Sequence, residues 1–212
     1  MSLKDHFIGQ HLSNAIADKG HASLVTCGGS SPLPIFASLA NYALDWSKVS
    51  ITLVDDRMVP AHHPDSNDRL IREQLLTGTA QEAQYISLYQ DPKAVAALPR
   101  PFDVMLLGIG TDGHFASLFP DMIDDEQAFG LNARPEIIRT GVKGSPAHAR
   151  ISMNLAMILQ SRAIFILAID PAKQQVIEQA ANDSASGDLA IPVAHLLKQQ
   201  VTHTQLITDL NL

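Results

Sequence analysis

Residues 103–114 read Asp-Val-Met-Leu-Leu-Gly-Ile-Gly-Thr-Asp-Gly-His, and their order decides the class of fold. A short apolar run stops at glycine, and polar and charged residues follow at once. A strand covered on both faces of a parallel sheet opens in this way into the loop at its carboxyl end. The same succession recurs on either side of it. Strands are predicted at 22–26, 49–54, 85–88, 103–107, 149–153, 163–169 and 205–208. Helices are predicted at 32–43, 67–76 and 171–181, with one more turn at 192–197. Pro32 and Pro171 suit first helical positions, with Ser31 and Asp170 as the preceding caps. Strands alternating with helices predict an α/β fold: an open, mainly parallel, doubly wound (Rossmann-like) sheet with helices on both faces. No repeat or linker divides the chain, so residues 1–212 read as a single domain. The pattern is weakest across 121–146.

Composition narrows the function. The chain has 212 residues and is 46% hydrophobic, enough for one sizeable core. Lys and Arg total 15 and Asp and Glu total 22, a net charge of −7. That balance offers no basic field for nucleic acid or an acidic membrane. An anionic substrate must therefore meet locally placed donors. The single cysteine, Cys27, cannot close an internal disulfide, which favours the cytosol. At the amino terminus Leu3, Phe7, Leu12 and Ile16 recur at helical spacing, interrupted by Lys4, Asp5 and Asp18, so the segment reads as a first helix rather than a targeting signal. The longest apolar run, 163–169, is far below the ~20 residues of a membrane helix.

Ligands of open parallel sheets bind beyond the carboxyl ends of the strands. In the loop Cys27-Gly28-Gly29-Ser30-Ser31-Pro32, amides and hydroxyls can face an anion at a helix amino terminus. A tight turn with a serine cap explains that loop equally well. Cys27 reads as a small core residue. Asp55-Asp56-Arg57 follows the second strand, and Arg57 can hold phosphate, steady an oxyanion, or pair with an aspartate. His62 and His63 make a poor metal pair, since no third ligand follows at familiar spacing, and no metal is expected. Asp65 or Ser66 caps the next helix. Asp112-Gly113-His114 sets a carboxylate two residues from an imidazole, as for a general base with an acidic neighbour. Lys173 opens a helix, where a cation opposes the dipole unless an anion binds.

Four ordered blocks resemble the family of 6-phosphogluconolactonases and glucosamine-6-phosphate deaminases. They are Gly28-Gly29-Ser30-Ser31-Pro32; Asp55-Asp56-Arg57 with Asp65-Ser66-Asn67; Leu107 through Pro120; and Ala149-Arg150-Ile151-Ser152 with Lys173. Asp112-Gly113-His114-Phe115-Ala116-Ser117-Leu118-Phe119-Pro120 follows the lactonase ending rather than the deaminase Phe-Asn-Glu-Pro. The resemblance implies hydrolysis of 6-phospho-D-glucono-1,5-lactone to 6-phosphogluconate, in the oxidative pentose phosphate pathway, without metal or organic cofactor. It implies His114 as the base that activates water, supported by Asp112. Arg57 would contact phosphate or the oxyanion, and Lys173 the anionic substrate. Gly28, Gly29, Ser30 and Ser31 would form the phosphate cradle, with Asn67 and Arg150 also binding substrate. Asp56 stands where the family has Glu, Phe115 where it has Thr, and Asp121 where it has Gly. The Ser-Pro-Lys-Pro-Pro stretch is reduced to Ser145-Pro146-Ala147-His148-Ala149. Two other readings share the fold: a deaminase-type isomerase, and a catalytically silent sugar-phosphate-binding module.

Overall fold

The computed structural model describes residues 3–186 and 189–209, with side chains from 7 to 182 and from 189 to 209. The chain begins with α1 (Leu3–Lys19) and β1 (Ala22–Thr26), then α2 (Leu33–Leu39), β2 (Val49–Leu53) and β3 (Asp55–Arg57). Next come α3 (Asn67–Gln74), β4 (Gln84–Tyr85), α4 (Pro92–Ala96), β5 (Val104–Gly108) and α5 (Glu126–Phe129). The remainder is β6 (Ile137–Lys143), β7 (His148–Met153), α6 (Leu155–Ile158), β8 (Ala163–Leu167), α7 (Pro171–Ser186), α8 (Pro192–Lys198) and β9 (His203–Ile207).

Six strands form one parallel sheet in the order β4-β2-β1-β5-β8-β9. Every residue of β1 and β8 is buried, so the predicted apolar runs are strands covered on both faces. The chain first builds outward from β1 through β2 to β4, then returns to the other side of β1 with β5. Order reverses between β1 and β5, and the loops leaving their carboxyl ends diverge there to leave a crevice. Cys27 still donates its amide to Leu106 at 2.9 Å, and Gly28 and Gly108 lie beyond it.

Three sequence expectations need correction. The strand at 149–153 is not part of the parallel sheet. It belongs to β7, at the centre of a three-stranded antiparallel sheet in the order β3-β7-β6. An apolar run fits either sheet equally well, and nothing in it reveals its partner. The residues after β2 are also strand rather than loop, because Val54 still donates to Thr26 and then accepts from Met153, bending the chain from one sheet to the other. Ser31 does not cap α2, whose N-cap is Pro32 with no side-chain bond. The Ser31 hydroxyl instead accepts from Lys173 Nζ at 2.6 Å, a charge-assisted bond of the stronger kind. Asp170 does cap α7, accepting from Lys173 N at 3.0 Å. In α1 the fully buried side chains are Ile8 and Leu12, while Phe7 is half exposed; the side chain of Leu3 lies outside the described residues.

Candidate active site

The loop after β5 is wound tightly enough to present one imidazole. Gly113 donates to Gly110 and Gly110 to His114, closing a turn over residues 110–114. Gly113 has φ +81, a left-handed conformation that favours glycine. A Cβ on Gly110 would lie 2.2 Å from His114 Nδ1 and 2.6 Å from Asp112 Oδ1, so the ring and carboxylate close against bare backbone. Asp112 Oδ1 lies 2.6 Å from His114 Nδ1, which leaves Nε2 as the nitrogen free to exchange a proton. Burial pushes the Asp112 carboxyl up, yet the hydrogen bond and charge of His114 outweigh it and hold it below the usual carboxylate range. The imidazole stacks on Phe119, with ring centroids 4.5 Å apart, and the Arg150 guanidinium lies 5.6 Å from the centroid of the same ring.

Arg57 enters from β3 and Arg150 from β7. Arg57 Nη1 donates to Asn67 Oδ1 at 2.6 Å and to the Asp65 carbonyl at 3.1 Å, while its Nε is buried without a partner. Arg150 donates to the carbonyls of Lys143 and Pro146, so the shortened stretch before it serves to hold its guanidinium. The alternative of an Arg57–aspartate ion pair is not realised among the described residues: Asp56 accepts from the Arg57 amide, not the guanidinium. Asp56 also accepts from the amides of Asn67 and Asp68, placing a carboxylate at the start of α3. Burial raises its pKa to about 6. Ser66 is the N-cap of that helix, and the Asp65 carboxylate instead meets His148 Nε2 at 2.8 Å.

On the opposite wall lies the loop after β1. Gly29 takes φ +82, and a Cβ on Gly28 would fall 2.0 Å from Asn67 Oδ1. Lys173 Nζ reaches Ser31 at 2.6 Å and Asp170 at 3.3 Å. Nine of the ten residues singled out in the sequence line one cleft of about 210 Å³: Gly28, Gly29, Ser30, Ser31, Arg57, Asn67, His114, Arg150 and Lys173. The tenth, Asp112, holds the histidine without lining the cleft.

Sequence reasoning missed three contributors. Asp55 lines the cleft as a buried carboxylate that accepts from Ser117 Oγ at 2.6 Å. Phe119 is the platform for His114, and His148 anchors Asp65. Phe119 stood in a quoted motif with no polar group to draw attention. Cys27 lines the cleft too, but burial pushes its thiol up to about 12, which favours the neutral thiol over a thiolate.

Comparison with known proteins matches residues 3–206 to the model of a family described as glucosamine-6-phosphate isomerases/6-phosphogluconolactonase. The chain belongs to this family. It is 37% identical to a 6-phosphogluconolactonase of Rhizobium meliloti over 212 residues, covering 94% of this chain and 89% of that protein. A 6-phosphogluconolactonase of Pseudomonas putida is also 37% identical, over 82% of this chain and 76% of its own length. The crystal structure of a 6-phosphogluconolactonase from Shewanella baltica superposes with a TM-score of 0.86 at 33% identity, covering 97% of this chain and 91% of the other. Two of the departures from the family pattern have structural partners away from the cleft. Phe115 is fully buried against Phe129, and Asp121 pairs with Lys143.

Proposed function

We propose that the chain, acting as one domain, hydrolyses 6-phospho-D-glucono-1,5-lactone to 6-phosphogluconate, with His114 as general base. The observation that carries this reading is an imidazole fixed through Nδ1 by a carboxylate, on the wall of a cleft that also holds three cationic side chains. The relatives named as lactonases set the substrate class.

Each residue then has a step. Arg57, Arg150 and Lys173, with the amides and hydroxyls of residues 28–31, bind the phosphate and orient the lactone. His114 Nε2 takes a proton from water as the resulting hydroxide adds to C1. Negative charge develops on the carbonyl oxygen, where the Arg57 guanidinium on the cleft wall can stabilise it. Collapse breaks the bond from C1 to the ring oxygen, and the imidazolium returns its proton to that oxygen. Asp112 keeps the ring in the tautomer that accepts at Nε2 and stabilises its charged form. The cytosol, where phosphorylated sugars reside, is the expected compartment; among the described residues no helix is long and apolar enough to cross a membrane.

The deciding experiment is turnover of freshly generated 6-phosphogluconolactone, corrected for spontaneous opening. Catalysed acid release supports the reading. Ammonia release from glucosamine 6-phosphate without lactone turnover would replace it with the deaminase reading, and binding with neither turnover would leave a sugar-phosphate-binding module.

A further inference from the structure

A second cluster of side chains lies just outside the cleft. His63 and Asp65 sit in the turn before α3, and His148 opens β7, 83 residues beyond Asp65. Asp65 Oδ2 lies 2.8 Å from His148 Nε2 and 3.8 Å from His63 Nδ1, and the three donor atoms fall within 4.8 Å of one another. The two rings meet edge to face at 5.6 Å.

We propose that His63, Asp65 and His148 bind a divalent cation of the zinc and cobalt class. Two imidazoles and one carboxylate form a borderline donor set that suits such ions better than magnesium or calcium, which prefer oxygen alone. A tetrahedral zinc with bonds of about 2.0–2.2 Å spaces its ligand atoms about 3.3–3.6 Å apart. The distances from Asp65 Oδ2 bracket that value and all three donor atoms lie within 4.8 Å of one another, so ligating geometry requires only small shifts of these partly exposed side chains.

Nδ1 of His63 already accepts a hydrogen bond, from the Asp65 amide at 3.1 Å, and so presents a lone pair rather than a proton. Ligation exchanges that bond for a metal bond, and the proton shared by His148 and Asp65 leaves to solvent. All three side chains are partly exposed, giving an ion access and leaving its remaining positions to water. His63-x-Asp65 alone is an unremarkable turn. The third ligand becomes available only because β7 pairs with β3 and carries His148 to the same place.

The site touches the cleft through one atom. The Asp65 carbonyl accepts from Arg57 Nη1 at 3.1 Å, so an ion that pins residues 63–65 to β7 also pins an arginine of the anion site. That coupling rests on the proposed role of Arg57; the metal site itself does not.

Titrating Co²⁺ into metal-stripped protein tests the site directly, because a low-symmetry cobalt complex absorbs in the visible. One equivalent should produce the band, and Zn²⁺ should displace it. His148→Ala should abolish the band and His63→Ala should weaken binding at least about tenfold, each being a lost ligand of three. His63→Ala alters a half-exposed turn and keeps the test decisive if His148→Ala does not fold. His114→Ala should bind as the wild type does. Absence of a stoichiometric band, unchanged affinity in both cluster variants, or loss of the band in His114→Ala would overturn the proposal. Lactone turnover by the stripped protein is read separately, so failure of the metal site and failure of the proposed activity are distinguished.

Discussion

Arg57 and Arg150 are directly opposed across the antiparallel pair β3–β7, and both guanidinium groups bond only to neutral oxygens among the described residues. Like charges in that register repel. Burial, and after it the charge of Arg57, pull the Arg150 pKa below its ordinary value. The fold accepts this cost where both side chains line a cleft. A bound dianion would remove it, which is what the proposed phosphate site in a net −7 protein requires.

Phosphate or 6-phosphogluconate should therefore raise the melting temperature of the wild type. At one hundred times Kd the gain is about 2.7 kcal/mol. Arg57→Ala and Arg150→Ala should each reduce the rise at equal ligand concentration. Equal rises in all three proteins would show that the anion binds elsewhere.

Gly110→Ala should act on the base without replacing it. The added Cβ meets the ends of two side chains, at 2.2 Å from His114 and 2.6 Å from Asp112, so the fold yields there and the ring is displaced. Displacing a catalytic group by about 1 Å costs about 10²-fold. Removing the base in His114→Ala should cost about 10²–10⁴-fold in kcat. In both variants KM should stay near the wild-type value, and the unfolding midpoint should fall only modestly. Wild-type kcat in Gly110→Ala would mean that the clasp of Asp112 on His114 does not position the base.

What the sequence showed of this arrangement, and what it did not, follows from the range of the interactions. Val104–Gly108 and Ala163–Leu167 were legible because a strand buried on both faces must be apolar throughout. His114 and Asp112 were legible because glycines isolate them at a strand end. Arg150 was legible as a motif, but its position opposite Arg57 depends on a pairing between segments 93 residues apart, 150 less 57, which neither segment encodes alone. His148 was invisible for the same reason. The strand Ile137–Lys143 fell in the stretch with the weakest pattern, since its central residues alternate between buried and exposed for only a few positions. Ser31 was misread because a cap and a ligand for Lys173 call for the same hydroxyl.

Asp56 should give a pH dependence opposite to that of most carboxylates. Its folded pKa of about 6 lies above the unfolded value near 3.9, so the folded state holds the proton more tightly. Stability from this group is full below about pH 4 and is lost as pH rises through about 6, by about 3 kcal/mol if the shift is taken whole. In Asp56→Asn an amide nitrogen must face at least one of the backbone donors that the carboxylate now accepts, costing about 1–3 kcal/mol. Denaturant unfolding between pH 4 and 8 should show that deficit largest at the acid end and shrinking as pH rises. A deficit that grows with pH would reverse the assigned sign.

Lys173 and Arg57 should separate in kinetics because the structure treats their charges differently. Lys173 Nζ is tied to Ser31 and Asp170, which fixes it beside the first loop and partly neutralises it before any ligand arrives. A contact made from that position to the phosphate has the same strength in the ground and transition states. Lys173→Ala should then raise KM and leave kcat largely intact. Arg57 lines the cleft with its guanidinium bonded only to neutral oxygens, so its charge is left to meet charge that develops during the reaction. Its loss should lower kcat in addition to weakening anion binding, and one oxyanion donor is worth about 2.7–4 kcal/mol, or about 10²–10³-fold in kcat. Both variants must be assayed at one ionic strength, because screening alone shifts KM for an anionic substrate. If Arg57→Ala changes only KM and Lys173→Ala lowers kcat, the two roles are exchanged. If neither parameter moves in either protein, both cations lie outside the working site, since two charge-assisted contacts cannot be lost without effect.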